Sequence, residues 1–332
     1  MSQSPSGLAE GVARAGNAKA FLRMVAIEHS VFALPFALLA AFTAMRLHLP
    51  GCHGRALGLG GPHGLRLVDY SYLHPGDCHG VAFVDLPRLL LITLAMVAAR
   101  TFAMAANRVI DREIDARNPR TAGRELVTGA VSARTAWSGA AVALVVFLGC
   151  AAALGRLPLL LAPLAVLPLV LYPYGKRFTN YPHAILALAQ AVAPVGAWIA
   201  VTGQWSWSAV VLGVGVGLWI GGFDLVYACQ DTESDREQGV GSFPARWGNG
   251  AALVTARLVH AVVFGLFVWF GVLEGFGPVW YVGLLAAVGA FVYQHAIVSP
   301  SDLSRVNRSF FTSNGFVGLA LGAAGILDLV TR

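Results

Sequence analysis

Carboxylates with helical spacing are the strongest chemical signal in this sequence. The segment NRVIDREID places Asn107, Asp111 and Asp115 at i, i+4 and i+8. Residues at this spacing share one face of a helix, so we expect the three side chains to converge on one point. The whole chain has only 17 acidic residues. A cluster among so few indicates a function.

A second group follows in the segment DLVYACQDTESD. Asp224, Tyr227, Asp231 and Asp235 stand at i, i+3, i+7 and i+11, again on one helical face. The spacing therefore predicts a second converging set.

The two groups also match each other. Adding 120 takes Asp111 to Asp231 and Asp115 to Asp235. This offset indicates an internal repeat. Membrane proteins built from repeats commonly place their site at the repeat interface, so we expect one central cavity between two facing carboxylate groups.

Stacked carboxylates favour a cation between them, because like charges one helical turn apart repel. Mg²⁺ prefers oxygen ligands and usually binds through one or two carboxylates and substrate phosphate oxygens. We therefore expect Mg²⁺ as the cofactor and a diphosphate as its partner. The predicted metal ligands are Asn107, Asp111, Asp115, Asp231 and Asp235.

Basic residues follow each carboxylate group and end the segment YPYGKRFT. Guanidinium groups bind phosphate in bidentate fashion, and lysine binds it as a point charge. The alternative for any one of them is an anchor at a membrane surface. The predicted diphosphate ligands are Arg120, Arg124, Lys176, Arg177 and Arg236.

Composition indicates a membrane protein. Of the 332 residues, 57% are hydrophobic and 12% charged, against about 25% charged in soluble domains. Apolar runs near the length of a membrane span, without the alternation of an outer-membrane barrel, predict an all-α bundle with two repeat-like halves in one domain, 1–332. The nine predicted spans cover about 24–45, 88–107, 134–155, 158–175, 182–202, 207–228, 250–272, 277–297 and 309–330.

The distribution of basic residues predicts the orientation. Most lie in the N-terminal segment and the even-numbered loops, which the positive-inside rule places in the cytoplasm, with the C-terminus outside. We expect a multi-pass protein of the inner or plasma membrane whose site opens to the cytoplasm. The net charge of +6 is scattered over loops, so no nucleic-acid partner is expected.

The motifs NRVIDREID and DTESD, with YPYGKRFT after the fourth span, resemble those of the UbiA superfamily of intramembrane prenyltransferases. The resemblance covers nearly the whole chain. It is strongest to the 4-hydroxybenzoate polyprenyltransferase branch, including relatives in menaquinone synthesis. It implies Mg²⁺-dependent transfer of a polyprenyl group from its diphosphate to a small aromatic acid, 4-hydroxybenzoate or a dihydroxynaphthoate, in ubiquinone or menaquinone synthesis.

Within this interpretation, the catalytic residues are the seven motif positions, Asn107, Asp111, Asp115, Asp224, Tyr227, Asp231 and Asp235. Arg100 is the expected anchor of the acceptor carboxylate, because it lies two turns before Asn107 on the same face. Tyr172 and Tyr227 are candidates to stabilise an allylic cation. The alternatives are a structural pair of Arg100 with Asp224 or Glu28, and an interfacial aromatic belt for the tyrosines.

The 46–87 connection is longer than the resemblance implies. We interpret it as a plain or disulfide-closed cap, with Cys52 and Cys78 as the possible pair. A zinc site is the alternative. Its histidines are His53, His63, His74 and His79.

An ion-coupled transporter is the alternative from another class, because carboxylates in repeated halves also mark carriers. Carriers place their coupling ions near the midplane. The aspartates of this chain lie at the ends of the predicted spans, which favours the enzyme.

Overall fold

The computed structural model describes residues 19–25, 33–48, 55–58, 66–69 and 84–331. Residues 19–24 are helical. The remaining helices, numbered here in chain order, are α1 (Leu34–Thr43), α2 (Leu86–Ile110), α3 (Arg112–Arg117), α4 (Glu125–Thr128), α5 (Ala133–Leu154), α6 (Arg156–Gly175), α7 (Pro182–Thr202), α8 (Trp207–Ala228), α9 (Thr232–Gln238), α10 (Phe243–Leu273), α11 (Pro278–Ala296), α12 (Val306–Arg308) and α13 (Asn314–Thr331).

The all-α bundle predicted from the sequence is confirmed. Eight helical segments of the described chain are long and apolar enough to cross a membrane, and a shorter apolar helix, Leu34–Arg46, is a ninth candidate. The first predicted span, 24–45, includes residues 26–32, which lie outside the described residues. In the 46–87 connection, β1 (Arg55–Gly58) and β2 (Arg66–Asp69) pair antiparallel, with Arg55 opposite Asp69. Cys52, Cys78 and the four histidines of this connection lie outside the described residues.

Large apolar side chains cover the outside of the bundle. Val145 on α5 is 69% exposed, Leu160 on α6 is 74% exposed and Leu285 on α11 is 68% exposed. A soluble monomer rarely presents so many apolar side chains to water. Together with the eight long apolar helices, this surface is that of a multi-pass membrane protein.

Helix α8 forms the centre of the bundle and packs closely on α7. Gly213, Gly217 and Gly221 repeat every four residues on one face of α8. A Cβ atom at Gly217 would collide with the main-chain oxygen of Ala187, and one at Gly213 with that of Ala191. Glycines at this spacing allow two helix backbones to approach, which is how helices associate where no hydrophobic force drives them together.

Both carboxylate motifs contain a break in the helix. Helix α2 ends at Ile110 and α3 begins at Arg112, with Asp111 between them at φ −93° and ψ 6°. After α8, a 3₁₀ turn over Cys229–Asp231 leads into α9, and Asp231 has φ −103° and ψ 1°. The two equivalent aspartates thus share one backbone conformation, which agrees with the repeat. The predicted helical faces are therefore bent at these two residues. In the first motif the helical hydrogen bonds continue through the bend, because the Asp111 amide donates to the Asn107 carbonyl at 2.9 Å and the Asp115 amide donates to the Asp111 carbonyl at 2.8 Å.

Candidate active site

A cavity of about 550 Å³ runs from the motif end of the bundle into its apolar interior. Its walls come mainly from α2, α5, α6, α7 and α8, with Leu34 of α1, Arg124 before α4 and Phe310 before α13. Most of the lining is aliphatic. The polar lining residues are Arg100, Asn107, Arg108, Arg124, Tyr172, Gln190, Asp224 and Tyr227.

At the motif end, Arg120 of the first motif reaches across to Asp231 of the second. Its Nε and Nη2 donate to the two carboxylate oxygens at 2.8 and 2.6 Å. Asn118 Nδ2 donates to Asp231 Oδ1 at 2.7 Å. The guanidinium also lies 5.1 Å from the ring centroid of Tyr227 and donates to its hydroxyl at 3.0 Å. One arginine therefore joins the two halves of the bundle.

The first motif is neutralised by two other arginines. Arg124 Nη1 lies 2.6 Å from both carboxylate oxygens of Asp115. Arg177, at the end of α6, donates to Asp111 Oδ1 at 3.0 Å. Asn107 Nδ2 donates to the other Asp111 oxygen at 3.2 Å.

Lys176 approaches Asp235 at 3.7 Å. The main chain holds this lysine beside the second motif, because the Gly241 amide donates to the Lys176 carbonyl at 2.6 Å. Each of the four aspartates at the motif end therefore lies against its own basic residue.

Burial and these contacts shift the pKa values of two charged groups at the motif end. Burial raises the pKa of the Asp111 carboxyl above its usual value, and Lys176 and Arg177 offset part of that rise. For Arg120, burial would lower the pKa, but its hydrogen bonds and its attraction to Asp231 outweigh burial and raise it. Arg120 thus stays fully charged, and Asp111 is a carboxylate whose charge needs a cation nearby.

The donor set fits a divalent cation that is shared with a substrate. Asp111, Asp115, Asp231 and Asp235 are all 7% exposed or less, and Asp235 Oδ2 is buried without a hydrogen-bond partner. Within the described residues, however, no three Asp, Glu, His or Cys side chains lie close enough to hold a metal by themselves. Carboxylate oxygens alone therefore do not complete a site, and phosphate oxygens fit the remaining positions.

The structure adds His183 to the residues expected at the site. His183 Nδ1 lies 2.6 Å from Asp224 Oδ2, and both side chains are mostly buried. No specific sequence signal marks it, because a single histidine at the start of an apolar helix is usually a packing residue. Of the two structural partners weighed for Arg100, Asp224 contacts His183, and Glu28 lies outside the described residues.

Arg108 and Gln190 also line the cavity and were not among the predicted residues. The Nε of Arg108 is buried without a hydrogen-bond partner, and Arg124, Asp115 and Tyr227 lie within electrostatic range of its guanidinium. A buried cation that faces a cavity beside the motifs suits an anionic substrate. From the sequence, only the position of Arg108 next to Asn107 of the first motif could have indicated it.

Most of the predicted site residues come together. Arg100, Asn107, Tyr172, Asp224 and Tyr227 line the cavity itself. The predicted diphosphate ligands Arg120, Arg124, Lys176 and Arg177 surround the motif aspartates.

Arg236 does not join this group. It is exposed, and its Nε donates to the carbonyl of Ala245 at 2.8 Å, so it closes the turn between α9 and α10.

Comparison with known proteins gives the same class as the site. The model of the UbiA prenyltransferase family matches residues 80–315. A 4-hydroxybenzoate octaprenyltransferase of Nitrosococcus oceani is 34% identical over 241 residues, which cover 72% of this chain and 84% of that protein. An enzyme of the same name from Nitrosospira multiformis is 32% identical over 253 residues, covering 76% of this chain and 86% of the relative.

Comparison with solved structures identifies proteins of the same family. A UbiA homologue from Aeropyrum pernix K1 without ligand superposes with a TM-score of 0.73 and 30% identity, covering 91% of this chain and 98% of that chain. A UbiA homologue from Archaeoglobus fulgidus, bound to DMAPP and Mg²⁺, has a TM-score of 0.63 and 18% identity, covering 94% and 99%. At this identity the likeness shows the fold.

An all-helical bundle with paired aspartate motifs above an apolar cavity, together with these relatives, defines a prenyltransferase of the membrane. The chain belongs to the UbiA prenyltransferase family, as the sequence motifs indicated.

Proposed function

We propose that this protein transfers a polyprenyl group from its diphosphate to a ring carbon of 4-hydroxybenzoate, with Mg²⁺, in ubiquinone synthesis. The observation that carries the proposal is the continuity of one cavity from a charged end to an aliphatic interior. A polyprenyl diphosphate is likewise divided into a charged diphosphate and an aliphatic chain. The names of the curated relatives support 4-hydroxybenzoate as the acceptor.

The diphosphate would lie at the motif end, among the basic residues. Mg²⁺, when bound to the motif carboxylates with the diphosphate, would draw negative charge from the leaving group. Arg108 faces the cavity already, whereas Arg120, Arg124 and Arg177 each hold an aspartate. Substrate binding would therefore exchange partners, with the basic side chains turning to phosphate oxygens as the carboxylates turn to the cation.

The allylic C–O bond then breaks, and the diphosphate leaves with the electron pair. Positive charge develops on the allylic carbon. The rings of Tyr172 and Tyr227 line the cavity and can stabilise that charge through their faces. The aliphatic walls exclude water, which would otherwise capture the cation.

The acceptor ring must lie within attack distance of the allylic carbon. We assign its carboxylate to Arg100, which lies ten residues before the end of α2, about 15 Å from the motif end at 1.5 Å per residue. A new C–C bond forms as the ring carbon attacks, and that carbon must then lose a proton. Asp224, oriented by His183 on the cavity wall, is our candidate acceptor for the proton.

The positive-inside pattern supports a cytoplasmic opening for the site and an inner or plasma membrane location. The charged diphosphate group and the aromatic acid would then reach the site from the cytoplasmic side.

The test is prenyl transfer by purified protein in detergent. Geranyl diphosphate and longer homologues are offered with 4-hydroxybenzoate or with 1,4-dihydroxy-6-naphthoate, in Mg²⁺ or in chelator. We expect a prenylated hydroxybenzoate that forms only with Mg²⁺. Transfer to the naphthoate alone would reject the assigned acceptor, and turnover in chelator would reject the metal.

A further inference from the structure

A second groove lies on the outer surface of the bundle, between α10 and α11. It has a volume of about 610 Å³ and is lined mostly by aliphatic and aromatic side chains. Two histidines and one arginine interrupt this apolar lining. None of the groove's lining residues also lines the active-site cavity. The groove residues used below are Arg257, His260, Phe291 and His295.

The hydrogen bonds of the two histidines fix their polarity. His260 Nε2 lies 3.3 Å from the carbonyl oxygen of Trp219, which can only accept, so this nitrogen carries the proton. His260 is 3% exposed and stacked on Phe291 at 4.7 Å. Such an apolar site favours the neutral ring. Its Nδ1 is then an acceptor, and the His295 Nε2 that lies 2.8 Å away must be the donor.

The same argument determines which groups His295 and Arg257 present to the groove. His295 is only partly buried and lines the groove beside Arg257. The positive charge of Arg257 and the apolar walls favour a neutral His295 ring. Because His295 Nε2 donates its N–H in the hydrogen bond to His260, the Nδ1 of the neutral His295 ring is the atom that carries the acceptor lone pair. Arg257, which is exposed on the same groove, presents a positive charge.

A ligand for this groove therefore needs three properties. It needs a hydroxyl that donates to His295 Nδ1, an anionic group that pairs with Arg257, and an apolar body that covers the aliphatic walls. Phosphatidylcholine, whose headgroup has no donor, leaves the histidine unsatisfied. Phosphatidylglycerol has a hydroxyl and an anionic phosphate, so the test below sets it against the proposed ligand. An aromatic acid that carries a free phenol and a prenyl tail provides all three.

We propose that the groove between α10 and α11 binds a prenylated phenolic acid, the class of product formed at the active site. This assignment rests on the proposed function. The phenol donates to His295, the carboxylate pairs with Arg257, and the tail follows the apolar wall of Leu285, Val288 and Val292. The groove then holds product within the membrane after it leaves the cavity.

The test uses the full chain in phosphatidylcholine nanodiscs with labelled 3-geranyl-4-hydroxybenzoate as the probe. Binding is measured in an Arg100→Gln background, which removes the proposed active-site anchor. We expect Arg257→Gln or His295→Phe to weaken probe binding at least tenfold, and Arg305→Gln, an exposed arginine outside the groove, to leave it unchanged. The 4-methoxy ether of the probe, which cannot donate, should bind at least tenfold more weakly.

Two results would overturn the assignment. Equal binding of the phenol and its methoxy ether would remove the role of His295, and displacement of the probe by phosphatidylglycerol would identify the groove as a site for anionic lipid. Arg257→Gln in the otherwise unchanged chain should keep single-turnover transfer within about twofold. Loss of transfer in the unchanged chain itself would instead count against the proposed function.

Discussion

Each of the four aspartates at the motif end has a basic partner. Asp231 pairs with Arg120, Asp115 with Arg124, Asp111 with Arg177 and Asp235 with Lys176. A buried carboxylate without a partner costs several kcal/mol, so these pairs allow the motifs to be buried before substrate arrives. The same pairs set a cost on substrate binding, because each must open before its members can contact diphosphate or cation.

The motif aspartates are expected to be essential. Asp111→Asn and Asp231→Asn each remove one negative ligand but keep the size of the side chain, so we expect prenyl transfer to fall by about 100-fold or more. The measurement is initial rate at saturating Mg²⁺, with Mg²⁺-dependent thermal stabilisation in a non-hydrolysable diphosphate as a second readout. Glu113→Gln and Glu233→Gln are the matched controls, because both glutamates are exposed within the same motifs. Near-normal rates in both aspartate variants would exclude the proposed site.

The pair across the two halves can be separated into a structural part and a catalytic part. Arg120→Ala leaves Asp231, 5% exposed, without its bidentate partner, so we expect a loss of stability of about 1 to 3 kcal/mol. Adding Asp231→Asn to that variant should restore thermal stability, because the remaining amide still has Asn118 beside it. Activity should stay absent in the double variant. Recovery of activity along with stability would show that the pair is only structural.

Arg108 offers a test of substrate affinity. Its guanidinium faces the cavity and has a buried Nε without a partner, so Arg108→Gln should raise the KM for geranyl diphosphate about tenfold, equal to about 1.4 kcal/mol. The KM for the acceptor should change little. Arg112→Gln, an exposed arginine in α3, is the control. An unchanged KM for the diphosphate would place Arg108 outside its binding site.

At the scale of elements, the sequence predicted the helices and the pairing of the motifs. The length of the apolar runs predicted the helices, and the offset of 120 residues between the two motifs predicted their pairing. Both can be read directly from the sequence. The breaks at Asp111 and Asp231 could not be predicted, since neither glycine nor proline marks them. Both residues instead have side-chain contacts with distant residues, namely the hydrogen bonds from Arg177 to Asp111 and from Arg120 to Asp231, which local sequence does not reveal.

The same limit applies to the placement of single side chains. Arg236 follows a motif in sequence, as Arg120 does, but its guanidinium closes a local turn on Ala245. His183 carries no motif and yet orients Asp224. Sequence proximity to a motif therefore gives candidates, whereas direction of a side chain depends on the packing of the whole bundle.

The contact between α7 and α8 gives a prediction about stability. Gly217→Ala adds a methyl group against the main-chain oxygen of Ala187, so we expect a loss of about 1 to 3 kcal/mol as the two helices separate. Gly149→Ala on α5, where a Cβ atom meets nothing within 4 Å, is the matched control. Thermal unfolding in detergent measures both. Equal melting temperatures would mean that α7 and α8 can move apart without cost.

At the scale of the whole molecule, the cavity predicts which prenyl chains are accepted. Gly196 on α7 lines the cavity, and a Cβ atom there meets nothing within 4 Å. It lies 14 residues into α7, about 21 Å along the helix. Gly196→Phe should therefore block the deep part of the cavity, retain transfer of geranyl and reduce transfer of octaprenyl at least tenfold.

The exposed Gly149 again serves as the control position, as Gly149→Phe. Competition between the two diphosphates in one reaction measures the preference directly. Unchanged use of octaprenyl diphosphate by Gly196→Phe would show that the tail leaves the cavity before it reaches α7 at this depth.

The positions of the paired residues along the chain determine which member of each ion pair is synthesised first. All four basic partners lie between residues 120 and 177, so they are synthesised before Asp231 and Asp235. Chains fold from the N-terminal side during synthesis. The second motif is therefore synthesised after its partners. In a circular permutant that began with the second half, Asp231 and Asp235 would be made before Arg120 and Lys176, their partners in this structure.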